Sequence, residues 1–336
     1  MRWKLPSGFS DPARDLPDPS ISLSIHLREV MMISEHMIAD ATSIGNLNCI
    51  CSSTQSAIPG LTIYSGCQPA GLVPALFEPR FYLLLQGAKR MVIARQDIVI
   101  RPGDYAMSSL GLPFQTEVIE ASLEKPYLGV AFTLDQAMVA EILLACPNFH
   151  DVDGSAFSSG RANRDVVDPV ARLLTLSRSP SDIEVMAPLL SRELVYRLAK
   201  GPMRSTLHMA AKGHRRFDQV RAAAEWIRNH CYEPMRVSDL ASRVGMSVTS
   251  LHRNFRSITG KSPLAYQRHF RLLAARERVV AQGDTITTIA FDSGYASASQ
   301  FSREYKQMFG VTPRHDSTRH DRSRRAEWYS RETEDS

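Results

Sequence analysis

The 336-residue sequence has no apolar run approaching the roughly 20 residues that a membrane helix needs, and no basic-then-apolar secretion signal at its start, so a cytoplasmic protein with no membrane partner is expected. Cysteine is scarce: Cys49, Cys51, Cys67, Cys146 and Cys231 are an odd number at irregular spacing, which argues against a disulfide framework and for reduced thiols. Histidine is missing between His36 and His150. That gap removes the imidazole cluster that a metal site in this half would need, so neither metal nor cofactor is expected there. A phosphate-cradling glycine loop, a dinucleotide fingerprint and a Ser-His-Asp arrangement are likewise missing. These absences point away from an enzyme.

What is present is unevenly distributed. Residues 212 to 313 carry sixteen Lys and Arg against eight Asp and Glu, a net +8, whereas residues 1 to 211 carry eighteen against twenty-one, a net −3, and the tail is balanced. A chain of this length can bury more than one core. A mildly acidic module joined to a basic one fits a polyanion partner for the C-terminal module only.

Within the basic module a helix-turn-helix pattern is written twice. The first copy runs from Val237, Leu240 and Ala241 through Gly245 and Met246 to Ser247, with Leu251 and Phe255 beyond; the second runs from Ile286 to Ala290 through Gly294 and Tyr295 to Ser297, with Phe301 and Tyr305 beyond. In each, a short helix stops at a glycine and a new one restarts at serines able to cap it. The apolar pairs stand at i and i+4, so they share a buried stripe and leave the opposite face free. That face carries Thr249, Ser250, His252 and Arg253 in the first copy and Ser299, Gln300, Ser302 and Arg303 in the second, side chains suited to base edges in a major groove. Arg256, Lys261 and Lys306 are placed to hold phosphates. Between the copies, Pro263 to Gln282 predicts a helix with Leu264, Phe270, Leu273, Ala274 and Val280 as its apolar stripe. At about 1.5 Å per residue it spans roughly 28 Å, enough to set two readers about one DNA turn apart. The competing reading is a plain helical bundle whose arginines coat a solvated face.

This region resembles the AraC/XylS family of bacterial transcription regulators. The resemblance is carried by Leu240-Ala241, Gly245-Met246-Ser247, Leu251, Arg253, Phe255, Ser262-Pro263, Tyr266, Arg271, Ile289-Ala290, Gly294-Tyr295, Phe301, Arg303, Tyr305-Lys306, Phe309-Gly310 and Thr312-Pro313. Where members commonly follow the final proline with a Tyr-Arg pair, this chain has Arg314, His315 and Asp316. The resemblance implies a DNA-binding regulator, more often an activator that contacts RNA polymerase from a promoter site.

From Ile58-Pro59-Gly60 onward short apolar or alternating runs follow one another: Leu61 to Tyr64, Phe81 to Leu85, Arg90 to Ala94, Asp97 to Ile100, Tyr105 to Ser108, Gln115 to Ile119 and Tyr127 to Thr133. Turn residues such as Gln86-Gly87, Pro102-Gly103 and Gly111-Leu112-Pro113 separate them, which predicts a small antiparallel barrel or sandwich. Helical segments are predicted at Asp135 to Ala145, Val166 to Ser177 and Ile183 to Leu198, with a looser first helix from Ile21 to Ala41. This half is similar to the cupin-like sensor domain of a subgroup of AraC-type regulators, through Ile58-Pro59-Gly60-Leu61, Phe77-Glu78-Pro79, Leu85-Gln86-Gly87, Gly103-Asp104-Tyr105 and Lys125-Pro126-Tyr127-Leu128-Gly129. The similarity implies a small organic effector inside the barrel, with Phe81, Leu83, Leu85, Tyr105 and Phe132 as interior positions, and a homodimer made by the helices that follow. Cys67, beside Gly66, is a candidate electrophile sensor with Lys89 or Arg90 as the group stabilising its thiolate. An unreactive core thiol is the alternative.

The expected fold is α+β. It consists of an N-terminal extension (residues 1–45, partly disordered), a cupin-like antiparallel β-barrel with following helices (46–205), a linker (206–216), an all-α domain of two helix-turn-helix units joined by a long helix (217–314), and a disordered charged tail (315–336). A cupin-type metal-dependent enzyme fused to a DNA-binding module and an effector-independent DNA-binding protein are the rival readings.

Overall fold

The computed structural model describes residues 35–45, 52–93, 96–145, 155–211, 215–281 and 283–318. A helix over residues 35–44, α1, is followed by strands β1 (Ser52–Gln55), β2 (Leu61–Gly66), β3 (Ala70–Phe77), β4 (Arg80–Gln86), β5 (Ala88–Ile93), β6 (Gln96–Ile100), β7 (Asp104–Ser108), β8 (Leu112–Glu120) and β9 (Tyr127–Thr133), then helix α2 (Gln136–Ala145) and strand β10 (Phe157–Arg161). Helices α3 (Arg164–Leu176), α4 (Ile183–Lys200) and α5 (Arg204–Ala211) complete the N-terminal half. The strands form two antiparallel sheets, ordered β1-β2-β9-β4-β7-β10 and β3-β8-β5-β6.

The seven expected runs are all strands; β1, β3 and β10 are additional. β3 hides behind Gly71 and Pro74, but it is an edge strand, where a proline is tolerated. Leu112 and Pro113, expected in a turn, open β8 opposite Phe77 and Leu76. Between β4 and β5 the chain reverses at Gly87, whose φ of +83° only glycine adopts freely.

Two cores share the six-stranded sheet. On its outer side Phe81, Leu83, Leu85, Tyr105, Val130 and Phe132 pack against Met37 of α1, Val170 and Leu174 of α3 and Leu194 and Leu198 of α4. On its inner side Tyr82, Leu84, Tyr127 and Ala131 face Met91, Ile93 and Phe114 of the other sheet. Each such large apolar side chain, fully buried, stabilises the fold by about 1.5–3 kcal/mol. Two expected boundaries shift. The end of the N-terminal extension is held in the fold, since Met37 and Ala41 are buried and Thr175 Oγ1 donates to Asp40 Oδ2 at 3.0 Å; the rest of that extension lies outside the described residues. The expected linker begins as helix, because Leu207 and Met209 of α5 are buried and α5 packs on α2 and α4.

The C-terminal half is helical: α6 (Arg215–Asn229), α7 (Val237–Arg243), α8 (Val248–Thr259), α9 (Pro263–Ala281), α10 (Ile286–Asp292) and α11 (Ala298–Phe309), then a helical turn over residues 313–318. That last turn overlaps the start of the expected disordered tail. Asp316 is buried there, accepting from Tyr305 Oη at 2.7 Å and Arg276 Nε at 2.9 Å; residues 319–336 lie outside the described residues.

Helix α9 differs from its expected stripe. Leu264 is exposed and Leu273, Ala274 and Val280 are half-buried, whereas Tyr266, His269, Phe270, Leu272, Ala275 and Val279 are buried. The reason is that α9 serves two cores from different faces: Tyr266 and Phe270 join α6, α8 and the inner sheet core, while Leu272, Ala275 and Val279 join α10 and α11.

Inner-core packing leaves no room at Gly129 of β9. A Cβ there would lie 2.6 Å from Cε2 and Cζ of Tyr82, and that ring is held by a 2.6 Å hydrogen bond between its hydroxyl and that of Tyr127. Gly129→Ala is expected to destabilise the protein by about 1–3 kcal/mol through overpacking, read as a lower urea midpoint at unchanged slope; an unchanged midpoint would contradict this packing.

Candidate functional site

The two reading helices are built by the same local chemistry. Gly245 and Gly294 take left-handed φ values of +65° and +78°, which turn the chain, and the hydroxyls of Ser247 and Ser297 accept from the backbone N–H of Ser250 and Gln300, each at 3.2 Å, to start α8 and α11. Gly260 and Gly310, both left-handed, end them. Leu251, Phe255, Phe301 and Tyr305 are fully buried, so the faces opposite point outward.

Thr249, His252, Arg253 and Arg256 of α8 are exposed there, as are Ser299, Arg303 and Lys306 of α11. Ser250 and Ser302 are half-buried, and Gln300 is half-buried with its amide donating to Glu304 Oε1 at 3.3 Å, so these three stand back from the exposed face. The cations there differ from several others among the described residues. Arg90 is held by Asp97, Arg192 by Glu141 and Arg278 by Asp284 and Asp292. Arg253, Arg256, Arg303 and Lys306 have no carboxylate within ion-pair distance among the described residues, so their charge faces solvent. Lys261 does not belong to this surface. It follows the C-terminal cap of α8, the end that points back at the sheets, and burial there pulls its ammonium below the usual lysine range.

Lys261 instead lines a cleft of about 370 Å³ between the halves, with Pro74, Phe114 and Gln115 on the sheet side and His269, Arg268 and Glu304 on the helical side. Hydrogen bonds cross the junction: Tyr266 Oη donates to the Gly111 carbonyl at 2.7 Å and His269 Nε2 to the Ala75 carbonyl at 3.2 Å. Arg271 fixes the helical half internally. Its guanidinium donates to the Cys231 carbonyl, to the Glu233 carbonyl at 2.8 Å and to the Gly294 carbonyl at 3.5 Å, joining the end of α6 to the second turn.

The expected effector positions lie elsewhere. Phe81, Leu83, Leu85, Tyr105 and Phe132 face the helices on the outside of the six-stranded sheet, not the space between the sheets. β4 is apolar on both faces, so alternation alone does not reveal which parity points inward. The cavity between the sheets, about 210 Å³, is lined instead by Tyr64, Phe77, Arg80, Tyr82, Lys89 and Phe114, among others. The legible signal is Lys89, a lysine in phase with the buried Met91 and Ile93 of β5. Cys67 is buried, and Arg90 lies on the outer face paired with Asp97, which removes both access and one proposed partner for an electrophile-sensing thiolate. No group of three or more His, Cys, Asp or Glu placed to hold a metal occurs among the described residues, and no helix among them is long and apolar enough to cross a membrane.

A pair of groove-sized reading helices on one rigid helical scaffold, docked on a two-sheet domain, defines the class of double helix-turn-helix DNA-binding proteins with an attached N-terminal domain. Comparison with known proteins gives the family: the AraC-type transcriptional regulator N-terminus matches residues 57–206 and a helix-turn-helix domain matches residues 240–319, and the chain belongs to the AraC-type regulators. Among curated relatives it is 34% identical to the transcriptional activator RhaS of Pectobacterium carotovorum over 95 residues, 28% of this chain and 34% of that protein. It is 26% identical to RhaS of Escherichia fergusonii over 165 residues, 49% of this chain and 59% of the relative. The chain thus spans about a third to three fifths of these relatives. Among solved structures it shares its fold with ToxT from Vibrio cholerae, at a TM-score of 0.53 and 13% identity, covering 77% of this chain and 97% of ToxT. A ToxT structure with a bound unsaturated fatty acid superposes with a TM-score of 0.51 at 11% identity, over 75% and 92% of the two chains.

His269 makes the junction between the halves acid-sensitive. Burial, with a smaller push from Lys261, takes its imidazole from 6.5 down to about 4, so the folded protein refuses a proton that the unfolded chain accepts. Stability is therefore unaffected above about pH 6.5 and falls as pH drops toward 4, by about 3 kcal/mol at most. His269→Gln, which keeps a donor for the Ala75 carbonyl, is expected to flatten that limb in urea titrations at pH 7, 6, 5 and 4; an unchanged limb would exclude His269 as its source.

Proposed function

We propose that this protein is a sequence-specific DNA-binding transcriptional regulator, acting as an activator in the cytoplasm in contact with RNA polymerase. Its N-terminal sheets answer to a small organic effector. The observation that carries the DNA reading is the set of exposed cations without carboxylate partners, Arg253, Arg256, Arg303 and Lys306, on the outward faces of two serine-capped helices. In this reading Arg253 and Arg303 donate in bidentate fashion to guanine, Thr249, His252 and Ser299 set neighbouring positions, and Ser250, Gln300 and Ser302 support them from behind. Arg256 and Lys306 hold phosphates.

The experiment is selection of bound DNA from a random pool, followed by binding of the selected sequence. Arg253→Ala is expected to lose about 1–3 kcal/mol and to relax preference at one base position, while Lys306→Ala lowers affinity across all sequences and reduces the salt slope by about one. Equal, sequence-blind losses would overturn these roles.

The proposed homodimer rests on α4. Its Leu190, Leu194, Val195 and Leu198 are consumed by the outer core, but Val185, Met186 and Leu189 at its start remain exposed, at 66%, 39% and 56%. Leu189→Glu is expected to shift the mass measured by light scattering from dimer to monomer at micromolar concentration; a native mass of one chain would remove the dimer.

A further inference from the structure

Strand β5 sets Lys89, Met91 and Ile93 on the inner side of its sheet, and all three are buried. The Lys89 ammonium lies 5.2 Å from the ring centroid of Tyr82, 5.6 Å from that of Tyr127 and 5.8 Å from those of Tyr64 and Phe114. An aromatic box of this kind commonly receives a cationic ligand. Here the protein's own ammonium fills it, so an incoming molecule meets the positive charge and not the ring faces.

The cavity beside this ammonium has a second cation and a hydroxyl in its wall. Arg80 Nε and Thr116 Oγ1 are buried there without a hydrogen-bond partner among the described residues. Arg80 reaches Tyr64 and Glu78 through its other nitrogens, and Glu78 does not line the cavity. No acidic residue lines it among the described residues; the remaining wall includes Ala75, Leu76, Phe77 and Phe114. An apolar space walled by Lys89, Arg80 and Thr116, with no carboxylate in its lining among the described residues, complements an anionic head on an apolar body.

We infer that this cavity binds a small monocarboxylate, its carboxylate against Lys89, Arg80 Nε and the Thr116 hydroxyl and its body against Leu76, Phe77 and Phe114. This rests on the reading of the N-terminal half as an effector domain and names the class of effector. The volume of about 210 Å³ equals some seven waters at about 30 Å³ each, which limits the body to one ring or a short chain. A planar carboxylate suits a single guanidinium edge; a phosphate has more acceptor sites than three donors satisfy.

The test is isothermal titration of the full chain at pH 7 with sodium benzoate and sodium hexanoate, against benzamide, hexanamide and inorganic phosphate. At least one acid is expected to bind about 10- to 100-fold more tightly than its amide and than phosphate, the factor a charge-assisted contact supplies. Lys89→Met, which keeps the stem within the box, is expected to reduce acid binding to the amide level. Thr116→Val gives an independent reading with a severalfold loss, should Lys89→Met fail to fold. Amides or phosphate binding as tightly as the acids, acids bound unchanged by both variants, or no acid binding at millimolar concentration each overturn the inference. Acid binding that leaves affinity for selected DNA unchanged supports the cavity and overturns the effector reading instead.

Discussion

Burial of Tyr266 is the constraint on which the rest of the molecule depends. Its ring meets Phe255 of the first reading helix edge-on at 5.1 Å and Phe270 of its own helix at 4.8 Å, while its hydroxyl crosses to Gly111 in the sheet domain. One apolar core therefore runs from between the sheets through α6 and α8 into α9. The second reader, α11, packs directly against β3 of the N-terminal domain, the first is joined to that domain through Phe255 and Tyr266, and the two readers are tied together through the far half of α9 and the three carbonyl contacts of Arg271. In this state the two halves are packed as one body, even though the chain joining them is short.

Charge is sorted on the same plan. Arg90 on β5, Arg172 on α3 and Arg192 on α4 are matched with carboxylates, which contribute little individually at exposed sites. The arginines on the outward faces of α8 and α11 are not matched. A surface whose cations are left without internal partners retains its full attraction for a polyanion, at the cost of some self-repulsion.

Much of this is legible in the sequence where local rules act alone. Glycine at the turn, serine at the cap and an i, i+4 apolar pair are short-range signals, and they mark α8 and α11 closely. Legibility ends where one element serves two environments. Phe81 to Leu85 are apolar at every position, so alternation assigns the inward parity the wrong way, and Lys89, which carries the correct phase, stands out only as a misplaced charge. Helix α9 turns different faces to two cores, so no single stripe describes it. Lys261 falls on the DNA side by spacing alone, because spacing does not say which end of a reading helix faces the sheets. β3 is lost behind Pro74 because a strand's position at a sheet edge is a tertiary fact.

That same strand is a party wall. Ala75 borders the space between the sheets on one side, and its carbonyl receives His269 of α9 on the other, with Pro74 facing the cleft between the halves. Backbone held in common cannot move for one tenant and stay still for the other. If a molecule between the sheets shifts this strand, thermodynamic reciprocity applies: duplex gripped by α8 and α11 would then alter the hold on that molecule by the same factor that the molecule alters the grip on duplex.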